Sequence, residues 1–170
     1  MNIISDIQDQ IVDRLRNALV QQSGNSHMRV VRVDTNDEVE VAQWVYDNES
    51  NISKYPHAFV YTGPVSASEQ DASRRMPTYE VTIRVFIAVR NASHENQEAQ
   101  KKLADKWSLY VASALNGYRV GVDPYTADQQ IDSIDITAIA NTERSALWDL
   151  TMNVNLETDF DAILNNVTNE

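Results

Sequence analysis

The residues that could carry out acid–base or metal chemistry are scattered through this sequence of 170 residues. His27, His57 and His94 are isolated from one another, and none lies four residues from another histidine, the spacing that would form a metal site on a helix. Asp132 and Asp135 are close enough in sequence to act as a general acid and a general base. They stand in a strongly acidic stretch, however, where a solvated acidic surface is the favoured interpretation. A carboxylate-dependent hydrolase is therefore kept only as an alternative to a non-enzymatic protein.

Other common catalytic and cofactor-binding patterns are missing from the sequence. It contains no cysteine, which excludes a disulfide framework, a cysteine-ligated zinc site, an iron–sulfur cluster and thiol catalysis. Its four glycines form neither a phosphate-binding loop nor a dinucleotide fingerprint, and the Gly-x-Ser-x-Gly nucleophile pattern does not occur. We therefore expect a protein that is not an enzyme and that uses no metal and no cofactor.

The net charge of −11 results from 14 lysines and arginines against 25 acids. Residues 123–170 hold ten of these acids and a single base, Arg144, so nine of the eleven net negative charges lie in this part of the chain. Nonspecific binding to DNA and binding to anionic membranes both require a cationic surface. The charge therefore argues against both functions.

No segment is apolar enough to span a membrane. The longest uninterrupted apolar run, at 85–89, has five residues, whereas a membrane helix needs about 20. The first residues lack the basic and apolar regions of a secretory signal. We expect the protein to fold in the cytoplasm.

Hydrophobic periodicity and turn residues predict the order of the elements. They predict a helix with apolar positions from Ile4 to Leu19 that ends near Ser23-Gly24-Asn25, a strand at 28–33, and a short helix favoured over a strand at 37–48. A strand at 58–61 that ends at Thr62-Gly63-Pro64 and a strand at 79–90 follow, and then a helix that follows Asn91-Ala92-Ser93 and ends at Asn116-Gly117. The last predicted elements are a short strand at 118–122, a strand at 131–139 and a final strand from Trp148 to Leu156. The strand at 79–90 alternates apolar and polar residues, so we expect one face on the core and the other partly solvated.

This order predicts an α+β domain with a mixed, mainly antiparallel sheet and two main helices packed on one face. No internal repeat and no linker divides the chain. Residues 1–160 are therefore expected to form a single domain, followed by an acidic C-terminal tail at 161–170.

Two aromatic residues of the short predicted helix, Trp44 and Tyr46, are candidates for a contact with a partner. Core packing is the favoured interpretation for Trp44, because large rings commonly dominate the cores of small domains. An exposed Trp44-Val45-Tyr46 segment would instead form a strong protein–protein anchor. Both interpretations stay open.

The connection from Thr62 to Thr78 is long and polar for a link between two apolar strands. Its only cationic cluster is Arg74-Arg75, which Met76 follows. One interpretation is a disordered hairpin tip. The other is a loop that becomes ordered on a neighbouring subunit, where the two arginines pair with acids.

Several of these segments occur together in an order with a known counterpart. They are the opening amphipathic helix, the strand from Pro56 to Tyr61, the long polar loop, the strand from Arg84 to Val89, and the helix that ends at Asn116-Gly117. This arrangement resembles the tail terminator (tail completion) proteins of long-tailed phages, with the Mu-like prophage family as the closest similarity. The resemblance extends over most of residues 1–158.

The resemblance implies a structural virion protein that forms a ring, commonly a hexamer, on the head-proximal end of the tail tube. The ring would terminate tube polymerisation and provide the joint to the head connector, while DNA passes through its lumen without specific binding. The implied partners are further copies of the chain, the tail tube protein and a head–tail connector or neck protein. The implied location is the virion tail, after assembly in the cytoplasm of the bacterial host. The alternative is a neck protein or a tail tube subunit of related fold.

The resemblance also suggests roles for two sets of surface residues. The candidate contacts with a neighbouring subunit or the tube are Arg74, Arg75, Met76, Trp44 and Tyr46. The candidate acids of a face that lines the lumen or meets a basic partner are Asp149, Glu157, Asp159 and Asp161. Acids in a lumen would repel the phosphates of passing DNA and keep it from adhering.

Replacing Arg74 and Arg75 together by alanine tests the role of the polar loop. We expect weaker ring assembly or tube capping and a monomer that stays folded, because the arginines are expected to pair with acids outside their own subunit. Light scattering measures the assembly, and circular dichroism checks the fold. Unchanged assembly would rule out the loop as a subunit contact.

Overall fold

A computed structural model describes residues 3–23, 28–34, 38–67, 78–121 and 129–157. Within these ranges the helices are α1 (Ile3–Ser23), α2 (Glu38–Asp47) and α3 (Gln97–Leu115), with a short 3-10 helix at Ile52–Lys54. The strands are β1 (Arg29–Arg32), β2 (His57–Ala67), β3 (Thr78–Val89), β4 (Arg119–Val120), β5 (Gln129–Gln130), β6 (Asp135–Asn141) and β7 (Ala146–Glu157). The short helix predicted at 37–48 is confirmed as α2.

Five of the strands form one sheet in the order β1-β2-β3-β7-β6. β1 runs parallel to β2, and every other neighbouring pair is antiparallel. β3 and β7 are paired over their full length, from Thr78 opposite Glu157 to Val89 opposite Ala146. β4 and β5 form a separate two-stranded ribbon. The predicted α+β class with a mixed, mainly antiparallel sheet is confirmed.

The two long helices cover the same face of the sheet, as the sequence predicts. Their buried residues recur at three- and four-residue steps and therefore form one stripe along each helix. Alternate residues of β3 and β7 point at these stripes, because neighbouring side chains of a strand lie on opposite faces. The main core contains Ile7, Ile11 and Leu15 of α1, Trp107, Val111 and Leu115 of α3, Val81, Ile83, Val85 and Ile87 of β3, and Leu150, Met152 and Val154 of β7.

The short helix α2 packs on the opposite face and creates a second, smaller core. Val41 and Val45 of α2 belong to one buried cluster with Phe59 of β2, Phe86 of β3 and Leu147 of β7. The segment 85–89 of β3 is consequently buried on both faces, and its five residues are 0% exposed. The expectation of a partly solvated second face is wrong for this segment, because α2 covers it.

β2 does not end at Thr62-Gly63-Pro64 but continues to Ala67. Gly63 has a φ of +135°, a conformation that residues with a Cβ rarely adopt. The pairing register with β3 shifts between Thr62 and Val65. The glycine therefore forms an irregularity inside a strand, where the sequence pattern predicts a turn.

The sequence predicts that α3 directly follows Asn91-Ala92-Ser93, but the helix begins later, at Gln97. The side chain of Asn91 accepts hydrogen bonds from the backbone N–H groups two and three residues further on, at 3.1 and 3.2 Å, and so forms a turn of its own. Asn96 then caps the helix by accepting a bond from the backbone N–H of the third residue after it, at 2.8 Å. The predicted end at Asn116-Gly117 is confirmed, with Gly117 at a φ of +77°.

The strand predicted at 131–139 begins at Asp135 instead. Ile131 prolongs the β4–β5 ribbon, since its N–H donates to the carbonyl of Tyr118 at 2.9 Å. Its side chain is fully buried in the main core. Ile131, which the sequence pattern assigns to the start of a strand, therefore serves as a core residue next to the helices.

Candidate assembly surfaces

The described part of the chain contains no group of three or more histidine, aspartate or glutamate side chains that could hold a metal ion. Asp132 and Asp135, the candidate catalytic pair, are both exposed, with Asp135 as the first residue of β6 and Asp132 three residues before it. Among the described helices, none is long and apolar enough to cross a membrane. The surfaces best suited to a function are the outer side of α2 and the edges of the sheet.

Trp44 is half-buried and holds α2 on the sheet through an aromatic cluster. Its ring centroid lies 4.5 Å from that of His57, 5.0 Å from that of Phe59 and 5.6 Å from that of Tyr55. The hydroxyl of Tyr55 donates to the carbonyl of Val45 at 3.1 Å and ties the next segment to the same helix. Packing is therefore the main role of Trp44 in the described structure.

Tyr46 lies on the outer side of α2 and is 72% exposed. Val39 lies seven residues before it, about two helical turns, and is 74% exposed, so both lie on the same side of the helix. The structure thus separates the two aromatic candidates. Tyr46 is accessible to a partner, and Trp44 supports the helix that presents it.

The aromatic cluster changes the acid–base behaviour of His57. Burial lowers the pKa of this histidine from 6.5 to about 4, and the positive charges of Arg29 and Lys54 act in the same direction. Burial also raises the pKa of Tyr55 to about 12. Both groups are therefore neutral at physiological pH and behave as packing residues.

An ion-pair cluster fixes the first turn of α2 to the middle of the sheet. Arg84 of β3 donates to Asp149 of β7 from Nη2 at 2.6 Å and from Nε at 3.2 Å. Its Nη2 also pairs with Glu38 of α2, and its guanidinium lies 4.7 Å from the ring centroid of Phe86. Burial acts to lower the pKa of Arg84, but the bonds to Asp149 and Glu38 outweigh it and leave that pKa raised.

The ion pair with Arg84 limits the role of Asp149 as a candidate acid of a lumen face. Its side chain is only 9% exposed, and its charge is paired with Arg84. It therefore does not provide a free negative charge on the surface, which corrects the simple alternation argument for this residue. Glu157 is the last residue of β7. The other five candidates, Arg74, Arg75, Met76, Asp159 and Asp161, lie outside the described residues, as does the expected tail at 161–170.

The free edge of β1 is closed by a side chain. The N–H groups of Arg29 and Val33 donate to carbonyls on the β2 side, so the intervening Val30 carbonyl points away from β2. Arg16 of α1 donates to this carbonyl from Nε at 3.2 Å and from Nη2 at 2.8 Å. Such capping prevents another strand from pairing there.

Two other edges of the sheet are uncovered within the described part of the chain. β1 is paired only with residues 57–60 of β2, so β2 extends beyond it, and residues 64–66 are exposed. We call this segment the β2 edge. At the other side of the sheet, residues 135–138 of β6 are all exposed, and we call them the β6 edge. The sequence pattern did not reveal these edges, although the segment 135–141 lacks the lysine or proline that often blocks an edge strand.

The fold has a counterpart among solved structures. It is similar to a chain from the virion of a native gene transfer agent (GTA) particle, with a TM-score of 0.50 and 12% sequence identity. The alignment covers 90% of this chain and 96% of that chain. At this identity the similarity concerns the fold. No protein-family model and no curated protein sequence matches the chain.

Replacing Asp149 by asparagine tests the ion-pair cluster. The neutral amide leaves Arg84, which is 13% exposed, with the half-exposed Glu38 as the remaining acid of the cluster, so we expect the free energy of unfolding to fall by about 2–4 kcal/mol. Urea denaturation followed by tryptophan fluorescence measures the change. Glu98→Gln is the matched control, because it breaks an exposed ion pair with Lys102 and is expected to leave the midpoint unchanged. Equal midpoints for both variants would contradict the structural role of Asp149.

A second prediction concerns the pH dependence of stability. Because the pKa of His57 falls from 6.5 to about 4 on folding, the unfolded chain binds the proton more tightly than the folded protein. The stabilising contribution of neutral His57 to the free energy of unfolding is therefore complete above pH 6.5, and it is lost as the pH falls toward 4. His57→Phe keeps an aromatic ring without the titration. Urea midpoints should decrease less steeply over this range for His57→Phe than for the wild type, and parallel curves would contradict the burial of a neutral histidine.

Proposed function

We propose that this chain is a structural virion protein of a long-tailed phage or a related particle, and that it acts as a tail terminator. In this proposal it forms a ring, with six copies as the expected number, on the head-proximal end of the tail tube. The ring stops further polymerisation of the tube and provides the joint to the head connector. Its lumen lets DNA pass without binding a specific sequence.

The observation that carries the proposal is the similarity in fold to a chain of a gene transfer agent virion over 90% of this chain and 96% of that chain. A shared fold alone does not define a function. Here the same conclusion is reached from a second direction, because the order of elements resembles tail terminators and the predicted α+β architecture is the one observed. Both lines support a subunit of a virion.

The surface of the chain also suits a subunit that acts by assembly. A ring of identical subunits needs two different surfaces on each copy that fit each other. The β2 and β6 edges and the exposed side of α2 with Tyr46 offer such surfaces. A structural role requires no nucleophile, metal or cofactor, and we accordingly propose that the protein is not an enzyme.

A head–tail neck protein or a tail tube subunit is the second candidate, since the similarity in fold supports any virion joint. The three functions differ in how the protein polymerises. A tube subunit extends into long hollow filaments, whereas a terminator forms closed rings that cap them. A neck protein binds at the head-proximal end but does not control tube length.

The decisive experiment combines the size of the purified protein with the effect of losing its gene. We expect light scattering and negative-stain microscopy to detect closed rings, alone or with tail tube protein. We expect loss of the gene to produce overlong tails. Tails of normal length without heads would indicate a neck protein, and filaments of the purified chain would indicate a tube subunit. A strictly monomeric protein at high concentration, even with tube protein, would contradict all ring-based functions.

A further inference from the structure

The β6 edge and the β2 edge have the same chemical character. Ile136 at the centre of the β6 edge is 40% exposed, and Val65 at the centre of the β2 edge is 43% exposed. Asp135 is the only charged residue in the two segments. The β6 edge contains neither lysine nor proline, so it can pair readily with another strand. In the β2 edge Pro64 has no N–H to donate, so pairing there depends on the backbone groups of Val65.

The two exposed apolar residues also lie on the same face of the sheet. Ile136 is opposite Leu150, and Val65 is opposite Val81. Directly paired residues share a face of the sheet, and both Leu150 and Val81 belong to the main core under α1 and α3. If the two edges met, Ile136 and Val65 would therefore extend that core from one subunit into the next.

The direction of the strands fits the same arrangement. β2 is antiparallel to β3, β3 to β7 and β7 to β6, so β6 runs opposite to β2. The two edges also lie at opposite sides of the sheet. Copies placed side by side in one orientation would bring the β6 edge of one next to the β2 edge of the other as an antiparallel pair.

We propose that the β6 edge of each subunit pairs with the β2 edge of the next, with Ile136 opposite Val65, so that the sheet continues around the assembly. The partner is a second copy of this chain. The proposal rests on the proposed ring and names the surfaces that close it. In this register Asp135 lies opposite Ser66, whose hydroxyl can donate to the carboxylate, and Thr137 lies opposite Pro64.

Pairing of the β6 edge with itself is the main competing arrangement. It would produce a two-fold dimer in which both β2 edges stay uncovered. Head-to-tail pairing covers both edges of every subunit and can close into a ring. The edges of the described chain thus favour the head-to-tail contact.

The absence of natural cysteines makes disulfide trapping a clean test. We expect the variant Val65→Cys/Ile136→Cys to form covalent multimers up to the full ring under mild oxidation, because opposed residues of an antiparallel pair are close enough for a disulfide. Each single variant should stay uncrosslinked. The matched control Val65→Cys/Lys102→Cys, with Lys102 on α3 and 75% exposed, should also stay uncrosslinked. Nonreducing gel electrophoresis measures the products, and circular dichroism checks the fold.

The possible results separate this proposal from the proposed function. Dimers from Ile136→Cys alone or from Val65→Cys alone would indicate self-pairing and overturn the head-to-tail contact. Intact rings by light scattering without crosslinks in the double variant would overturn the strand pairing and leave the ring in place. A monomeric wild type without crosslinks would overturn both.

A second pair protects the test against a folding defect at the apolar positions. Ser66→Cys/Asp135→Cys replaces two exposed residues on the other face of the same two strands. It should form the same covalent multimers. Failure of this folded variant to crosslink while the ring is present would overturn the proposed register. In addition, Ile136→Lys should abolish the ring and leave a folded monomer, because a lysine at an edge opposes strand pairing.

Discussion

The central constraint on this structure is the burial of β3 on both faces. Its segment 85–89 is fully buried and pairs with β2 on one side and with β7 on the other. A strand with apolar residues on both faces needs a cover above and below the sheet. The two long helices provide one cover, and the short helix α2 provides the other. The polar part of the second face begins where the cover by α2 ends.

Arg84 stands at the boundary between the covered and the uncovered part of the second face. Toward 85–89 the face is apolar and lies under α2. From Arg84 toward the start of β3 the same face carries polar residues, such as Thr82, whose hydroxyl lies 3.0 Å from the side-chain oxygen of Asn153. The arginine joins the two regions because its guanidinium contacts the Phe86 ring and also binds Asp149 and Glu38. A charge at this position is stabilised by two acids, and this pairing fixes the start of α2.

The elements and the fold class could be predicted from the sequence to a large extent. The stripes of α1 and α3 and the alternation in β3 and β7 are local patterns, and local patterns directly encode which side of an element is apolar. The errors occurred where a residue type has more than one use. The residue pattern predicts a turn at Gly63, which forms an irregularity within β2, and a strand at Ile131, which fills the core. In each case a contact distant in sequence decides the conformation.

The sequence by itself determined the α+β class, the lack of cysteine chemistry and the concentration of negative charge in the last third of the chain. Only the tertiary structure decided which of the candidate residues are accessible. It placed Trp44 in an aromatic cluster, left Tyr46 exposed, paired Asp149 with Arg84, and left the β2 and β6 edges uncovered by the residues that the structure describes. The physical reason is that accessibility depends on the order of strands in the sheet and on which face each helix covers. Both are set by packing between segments far apart in the chain, and no local pattern of residues records them.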